Sequence, residues 1–338
     1  MRNNKASDKG VPWAVAGDER SSRNAKRILI AYDGSAGADS ALADLGHAGL
    51  PDDLEALVLS VAEKPARENP TDCARGVCPS HQAISRAAVS LGQRLAEQAC
   101  CRLQFMFPRW RLESVGITDS PVGGIVRMAT EREVDLVVVG AHGLSGFERM
   151  LLGSVARRVF AQAPCSIRIA RPRLRPPGPG PRIVVAVGDS SDDERVIGEV
   201  AARRWPAAAR FQIVTVVDAR LAAARASARS FASAWRNQHS AVVEARACQL
   251  VEHYRNRLCR AGLTVEILVF EEGLAGRVVP QASAWEADGV FLGHRGAGRG
   301  EGRIVETAAF TIAACAPCSV EVIRGRTQIP DSRRPHLS

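Results

Sequence analysis

Short apolar runs alternate with segments of helical periodicity along the first half of the chain. The first run, at 27–32, reads RILIAY. Runs of this kind are typical of strands that are buried on both faces of a parallel sheet. The pattern predicts strands near 27–32, 56–62, 111–116, 134–139 and 165–170, and helices near 36–47, 83–101, 122–132 and 153–162. This alternation predicts a parallel sheet with helices on both faces.

The same order of elements recurs after residue 182. Apolar runs at 183–187, 211–217, 265–270, 289–292 and 318–323 are separated by helical segments that begin near 191, end near 261, and cover 275–284 and 304–315. The ends of the two series align without a gap, because residues 163–168 (APCSIR) match residues 316–321 (APCSVE). A repeat of about 150 residues is too long for a solenoid unit and indicates a duplicated domain.

The segment between the two series, 171–181, contains five prolines and two glycines. Proline lacks an amide proton and fixes its own φ, so this composition excludes a helix or a central strand. We predict a stiff, extended linker. The predicted organisation is a flexible arm at 1–25, a first domain at 26–171, a linker at 172–181, a second domain at 182–324 and a flexible basic tail at 325–338.

The net charge of +9 is concentrated outside the two predicted domains. Segments 1–26, 171–182 and 324–338 carry net charges of +3, +4 and +3, so the rest of the chain is near neutral. A folded nucleic-acid-binding face concentrates positive charge within a domain. We therefore expect no specific nucleic-acid partner, and at most weak, salt-sensitive attraction of the arms to nucleic acid or anionic lipid.

Hydropathy also bears on the cellular location. No apolar run reaches the roughly 18–20 residues that cross a bilayer, and residues 1–10 are polar. We expect a cytoplasmic protein with no membrane partner.

Nine cysteines, an odd number spread over a long chain, predict reduced thiols rather than a disulfide framework. Cys165 and Cys318 begin apolar runs and are predicted to be buried core residues. Cys73 and Cys78 lie near His81 in the unexplained insertion at 64–82, but the sequence offers no fourth ligand there. Cys315 lies three residues before Cys318, which belongs to a predicted strand. We therefore expect no metal site.

A glycine-rich stretch follows the predicted strand at 134–139. Gly140, Gly143, Gly153 and Ser154 form the pattern Gly-x2-Gly-x9-Gly-Ser, which leaves a strand and opens a helix. Glycine has no Cβ and allows the backbone to approach a ligand closely. The free amides and the positive dipole end at a helix start suit a phosphate. Any one of these glycines alone would be an ordinary turn residue, but together they predict a phosphate-binding loop.

With this loop, the sequence resembles the ATP-binding branch of the universal stress protein family. The resemblance is carried by residues 28–35 (ILIAYDGS), 134–143 (VDLVVVGAHG), 149–155 (RMLLGSV) and 163–165 (APC). It implies two tandem Rossmann-like α/β domains, each a five-stranded parallel sheet flanked by helices. ATP is expected across the strand ends, and Mg²⁺ is allowed with it. Because family members dimerise through their last strand, strands 165–170 and 318–323 are expected to pair as an intramolecular pseudo-dimer, and a homodimer of chains stays open.

The resemblance assigns the ATP contacts to strand ends and to one helix start of the first domain. The residues expected at adenine and ribose are Ala31, Tyr32, Asp33 and Val61. Those expected at ribose and the inner phosphates are Val139, Gly140, His142 and Gly143. Those expected at the outer phosphates are Gly153, Ser154 and Val155. Family members often carry a hydroxyl residue after this valine, whereas this chain has Ala156, so one phosphate contact is expected to be missing.

Two of these residues have a second interpretation. His142 could act as a base, but no serine, cysteine or carboxylate nucleophile stands at a motif distance from it, so we expect a nucleotide contact and no catalytic residue. Asp33 could cap the helix that begins near Ser35. Capping and ligand contact are compatible roles.

The second copy departs from the pattern at the decisive positions. Gly188 aligns with Asp33, with Asp189 one position later. Arg295 aligns with His142, and Glu306 with Gly153, with Thr307 over Ser154. A carboxylate repels a phosphate, so the second domain is expected to be structural or regulatory.

The predicted function is an ATP-binding protein of stress response or signalling with an unknown protein partner and at most weak ATPase activity. The alternatives are an ATP-hydrolysing or ligase-type enzyme and an interaction protein without ligand.

Overall fold

The computed structural model of the protein describes residues 25–63, 81–142, 152–173, 175–176, 178–188, 192–217, 248–271, 273–294 and 308–325. The described residues of the first half contain five strands and four helices. The strands are β1 (Lys26–Ala31), β2 (Leu54–Ala62), β3 (Arg111–Thr118), β4 (Leu136–Gly140) and β5 (Ser166–Ala170). The helices are α1 (Ala36–Asp44), which a 3-10 turn continues at Leu45–His47, α2 (His81–Met106), α3 (Pro121–Glu131) and α4 (Ser154–Gln162).

The second half repeats this order. Its strands are β6 (Arg182–Val187), β7 (Arg210–Val217), β8 (Thr264–Glu271), β9 (Gly289–Gly293) and β10 (Ser319–Ile323). Its helices are α5 (Asp193–Ala201), α6 at 248–260, α7 (Leu274–Ala284) and α8 (Ala308–Cys315). The alternation of strand and helix predicted from the sequence is confirmed. The largest difference is α2, which the sequence pattern placed at 83–101 and which extends beyond both of those limits.

Local capping explains where helices begin in the first half. Ser35 precedes α1 and accepts a hydrogen bond from the Ala38 amide with its side chain. Ser120 does the same for α3 through the Gly123 amide, and Pro121 follows it at the first helical position. A hydroxyl before the helix and a proline inside its first turn satisfy or remove amides that have no intrahelical acceptor.

All ten strands form one sheet, in the order β3-β2-β1-β4-β5-β10-β9-β6-β7-β8. Within each half, every neighbouring pair is parallel. The halves meet where β5 pairs antiparallel with β10, with Arg168 opposite Glu321. The predicted fold class and the predicted pairing of the two last strands are confirmed. The two predicted sheets are joined edge to edge into a single one.

The two faces of the sheet are packed differently at this joint. On one face, a single apolar cluster runs across both halves and includes Phe160, Ile167, Val290 and Val320. On the other face, each half has a separate apolar cluster. Alternation along β5 places Arg168 on that second face, between the two clusters. The joint therefore has an apolar side and a charged side.

Cys165 and Cys318 lie in the shared apolar cluster, at 1% and 4% exposure, which confirms the prediction that they are core residues. Burial raises the pKa of the Cys318 thiol to about 12. A thiol with this pKa is protonated and unreactive at neutral pH. Among the described residues, no helix is long and apolar enough to cross a membrane.

The linker is tied to the second half by Asp288. The Asp288 carboxylate accepts hydrogen bonds from Arg173 at 2.5 Å, from Arg175 at 2.7 Å and from the Arg182 amide at 2.8 Å. Burial raises the pKa of Asp288, but these hydrogen bonds outweigh burial and hold the pKa below its ordinary value of 3.8. The positive charge that the sequence places in the linker is therefore partly neutralised within the fold.

We predict that Asp288 makes the protein sensitive to acid. Its pKa is lowered in the folded state, so its contribution to stability is complete above its ordinary pKa of 3.8 and is lost as the pH falls through the folded value. Asp288→Asn should lower the free energy of unfolding by about 2 kcal/mol at pH 7. The variant should also lose less stability than the wild type between pH 6 and pH 3. Urea unfolding at both pH values measures this, and an unchanged acid dependence would contradict it.

Candidate functional site

The candidate site lies at the carboxyl ends of β1 and β4. These strands are neighbours, but the chain leaves β1 towards β2 on one side and leaves β4 towards β5 on the other. Such a switch point opens a crevice, where open α/β sheets bind ligands. The register pairs Ala31 with Leu59. Continuing it by two residues places Asp33 beside Val61, so two residues predicted at adenine and ribose lie together.

Asp33 is exposed just beyond β1. Its Oδ1 atom accepts a hydrogen bond from the Ser35 amide at 3.0 Å. Ser35, and not Asp33, provides the side-chain cap of α1. The alternative role of Asp33 as the cap is therefore wrong. Its carboxylate orders the turn before the helix and remains open to solvent and ligand.

Tyr32 turns its side chain away from this edge. The ring is 7% exposed in the core of the first half, and its hydroxyl donates to Asp39 at 2.7 Å. Burial, together with the Asp39 carboxylate, raises the pKa of this hydroxyl. The Tyr32 amide donates to the Leu59 carbonyl at 2.9 Å. Any contact of Tyr32 with a ligand at this edge would therefore be made by its backbone.

The apolar site residues also differ in what they expose. Val139 is 3% exposed and packs in the shared apolar cluster, so only its backbone can face a ligand. Ala31 and Val61 are half-buried at the ends of β1 and β2. Val61 packs beside Gly124 of α3, where a Cβ would lie 3.1 Å from both of its γ-methyl carbons. Val61 therefore keeps a partly open apolar surface next to Asp33.

Gly140 is required by a backbone crossing inside the protein. A Cβ at Gly140 would lie 2.6 Å from the carbonyl oxygen of Gly37, and a Cβ at Gly37 would overlap the carbonyl oxygen of His142. The first turn of α1 and the end of β4 thus touch backbone to backbone. The sequence interpretation, that Gly140 makes room for a ligand, needs this correction. It also missed Gly37, for which the signal was a glycine in the first turn of a helix.

His142 is half-buried where the chain leaves β4. Its Nε2 atom is buried and has no hydrogen-bond partner among the described residues. Buried polar side-chain atoms almost always have a partner, so this nitrogen is a candidate ligand contact. Gly143, the next predicted site residue, lies outside the described residues.

The start of α4 supplies backbone amides. The Gly153 amide donates to the Ala141 carbonyl at 2.8 Å, and the Ala141 amide donates to the Ala170 carbonyl at 2.8 Å. These bonds fix the helix start to the ends of β4 and β5, but they occupy the Gly153 amide. The next amides, of Ser154, Val155 and Ala156, have no intrahelical acceptor. Ser154 and Val155 are exposed, so the free amides of this helix start begin at Ser154 and not at Gly153.

Ala156 faces inward. It is 3% exposed and belongs to the shared apolar cluster. A hydroxyl at this position would lie in the core and not on the open side of the helix. The expected loss of a phosphate contact at Ala156 is therefore not supported.

The second half differs at the equivalent crossing. Gly188, which aligns with Asp33, donates its amide to the Asp193 carboxylate at 2.9 Å. Asp192 stands where the first half has Gly37. A Cβ added at Gly293 would lie 2.8 Å from the Cβ of Asp192. The exposed carboxylate of the first half thus has no counterpart at Gly188. Arg295, Glu306 and Thr307 lie outside the described residues.

No metal-binding group appears in the described part of the chain. Within those residues, no three His, Cys, Asp or Glu side chains are placed to hold a metal ion. Cys315 and Cys318 are both among them, and both are free thiols. Cys73 and Cys78 lie outside the described residues.

Comparison with known proteins identifies the first half. Residues 24–171 match the sequence profile of the universal stress protein family. A universal stress protein of Bacillus subtilis is 26% identical over 147 residues, which are 43% of this chain and 98% of that protein. Residues 24–171 therefore belong to the universal stress protein family. A further universal stress protein, of Methanocaldococcus jannaschii, is 32% identical over 77 residues, 22% of this chain and 45% of that protein. The chain thus spans less than half of this relative.

A solved structure resembles both halves of the chain. The crystal structure of a universal stress protein from Archaeoglobus fulgidus matches with a TM-score of 0.57 and 16% identity. The match covers 88% of this chain and 96% of that chain. At this identity, the likeness concerns the fold, and it extends beyond residues 24–171.

We predict that the crossing between α1 and β4 tolerates no side chain in this universal stress protein. Gly37→Ala should lower the free energy of unfolding by about 2–3 kcal/mol, because its Cβ overlaps the His142 carbonyl oxygen and forces β4 and α1 apart. The matched control is Gly276→Ala in α7, where a Cβ meets no atom within 4 Å. Alanine there should leave stability unchanged or raise it by up to about 1 kcal/mol. Equal effects of the two changes in urea unfolding would contradict the crossing.

Proposed function

We propose that the first half of this universal stress protein binds one adenine nucleotide, ATP, for a role in stress response or signalling, and that the second half binds none. In this proposal, residues 26–171 and 182–324 act as two domains, with 172–181 as their linker. The observation that carries the proposal is the arrangement at the carboxyl ends of β1 and β4. An exposed carboxylate, a half-open valine and the open amides of a helix start surround the crevice between β1 and β4.

The polar groups at this edge suit the parts of a nucleotide. Asp33 offers a carboxylate to ribose hydroxyls or to an adenine amino group, and Val61 offers an apolar surface to the base. Ser154 and Val155 offer amides at the positive end of the α4 dipole, which attracts phosphate. In the sequence, His142, whose Nε2 atom has no partner among the described residues, lies between the residues proposed at adenine and ribose and those at the start of α4. The remaining proposed contacts, at Ala31, Val139, Gly140 and Gly143, would be made by backbone.

An enzymatic role has less support. The Nε2 atom of His142 has no hydrogen-bond partner among the described residues, so it activates no serine, cysteine or carboxylate nucleophile there. Any Mg²⁺ would be held mainly by phosphate oxygens, since the described residues contain no metal-binding cluster. Binding, without turnover, is therefore the function that we propose.

We predict a stoichiometry near one nucleotide per chain. The exposed carboxylate beyond β1 has no equivalent at Gly188, whose amide is bound to Asp193. Isothermal titration of the full-length protein with ATP should give one site. Two equivalent sites would contradict the difference between the halves, and the absence of binding heat at several temperatures would contradict the nucleotide assignment.

We predict that Gly153→Glu weakens ATP binding at least tenfold, or about 1.4 kcal/mol, because it adds a negative charge at the helix start. Gly153 has φ −57° and ψ 155°, a conformation that any residue adopts, so the fold should persist. Gly153→Ala is the matched control, since it adds a Cβ without charge and should change affinity less. The reverse change in the second half, Glu306→Gly, should restore little binding. Unaltered affinity in a folded Gly153→Glu protein would contradict phosphate binding at α4.

A further inference from the structure

Arg168 and Glu321 face each other at the centre of the joint between the halves. They are direct partners in the antiparallel pairing of β5 with β10, and both are fully buried. They also occupy equivalent positions of the repeat, since residues 163–168 align with 316–321. A local twofold axis therefore passes between them, and it relates an arginine to a glutamate.

The two residues belong to a row of four alternating charges. Arg168 binds Asp44 of its own half at 2.6 and 3.0 Å, and it binds Glu321 across the joint at 3.1 Å. Glu321 in turn pairs with Arg203 of its own half. The row Asp44, Arg168, Glu321, Arg203 alternates in sign along its length, and its middle contact is the one that crosses the joint. Buried charges are stable only when they are paired in this way.

Two further pairs of contacts at the joint are symmetric, although the Lys26–Glu199 ion pair and a hydrogen bond from Arg203 to the Ala48 carbonyl also cross the joint. The Arg171 amide donates to Ser319 Oγ at 3.0 Å, and the equivalent Arg324 amide donates to Ser166 Oγ at 3.1 Å. The Arg171 guanidinium reaches a carbonyl near the end of α8, and the Arg324 guanidinium reaches carbonyls at the end of α4. Because each half supplies the same groups, these contacts would form equally well between two copies of one half. They do not distinguish a like pairing from the observed one.

Pairing of like halves would bring like charges together at the centre of the charge row. Two first halves joined through β5 would place Arg168 against Arg168, and two second halves joined through β10 would place Glu321 against Glu321. Like charges directly opposite each other in an antiparallel pair are destabilising, and burial removes the water that would screen them. A clash built against the wrong partner is a means of specificity.

We propose that Arg168 and Glu321 make this joint selective: β5 accepts a strand with an acidic residue opposite Arg168, which is β10 of this sequence, and rejects the β5 of a second copy. The joint then closes within one chain or between unlike halves of two chains. This inference is independent of nucleotide binding. The joint is formed by β5 and β10, the proposed ATP site lies between β1 and β4, and the charged residues of the joint are not proposed ATP contacts.

The test starts from the folded full-length protein. A protease site is inserted between Gly178 and Pro179, both exposed in the linker, and the protein is cut after purification. The halves are then separated in mild denaturant and reassociated by dialysis, and native mass spectrometry identifies the pairs, since the halves differ in mass. The cut wild type should give pairs of unlike halves in at least tenfold excess over pairs of like halves.

Single substitutions should release one like pair each. Glu321→Gln removes the glutamate repulsion while its amide oxygen can still accept from Arg203, so pairs of second halves should appear and pairs of first halves should not. Arg168→Gln keeps a donor for Asp44 and should release pairs of first halves alone. The control Arg324→Gln removes a half-buried arginine of the symmetric contacts, so it should weaken the joint without producing like pairs.

Three results would overturn the proposal. The first is abundant like pairs, or fully separated halves, in the cut wild type. The second is an excess of unlike pairs that neither glutamine variant reduces. The third is release of the wrong like pair. If a cut variant does not reassociate, the uncut variant is refolded at low and high concentration and its mass is measured by light scattering; a single-chain mass for both glutamine variants at all concentrations would also overturn it.

Discussion

The antiparallel pairing of β5 with β10 is the interaction on which the architecture depends. Each half is a parallel sheet whose last strand is apolar and would otherwise end in unpaired amides and carbonyls, an arrangement that invites association with other chains. Joining the two last strands satisfies these groups and turns two five-stranded sheets into one. It also completes an apolar cluster that neither half could enclose alone, since Phe160 of the first half and Val320 of the second belong to it.

At this pairing, the two faces of the sheet have different roles. One face carries the continuous apolar cluster and supplies hydrophobic stabilisation, which has no directional preference. The opposite face carries Arg168 and Glu321, which stabilise little by themselves when buried but permit few arrangements. Affinity and selectivity of the joint thus come from alternate residues of the same two strands.

Much of this could be predicted from the sequence, because the relevant signals are local or periodic. The alternation of apolar runs and helices predicted the order of strands and helices along the chain, and the family resemblance implied which strands meet. At the candidate site, the sequence indicated strand ends and a helix start that the fold brings to the same side of the sheet. What it could not predict was where side chains point: Tyr32 and Val139 lie at these strand ends but pack inward. Gly140 is needed because Gly37, more than a hundred residues earlier, packs against it. The groups that hydrogen-bond to Asp288 belong to Arg173, Arg175 and Arg182. Such contacts follow from the tertiary fold and leave no spacing pattern.

Helix α4 connects the two halves in a way that the strands do not. Its start lies at the candidate site and is tied to Ala141, while its end is held by Arg324, which donates to the Phe160 carbonyl at 2.6 Å and lies over the Phe160 ring at 4.8 Å. Arg324 follows the last strand of the second half. The helix is therefore held at its start by the first half and at its end by the second half. The second half therefore contacts a helix whose other end lies at the first half's candidate site.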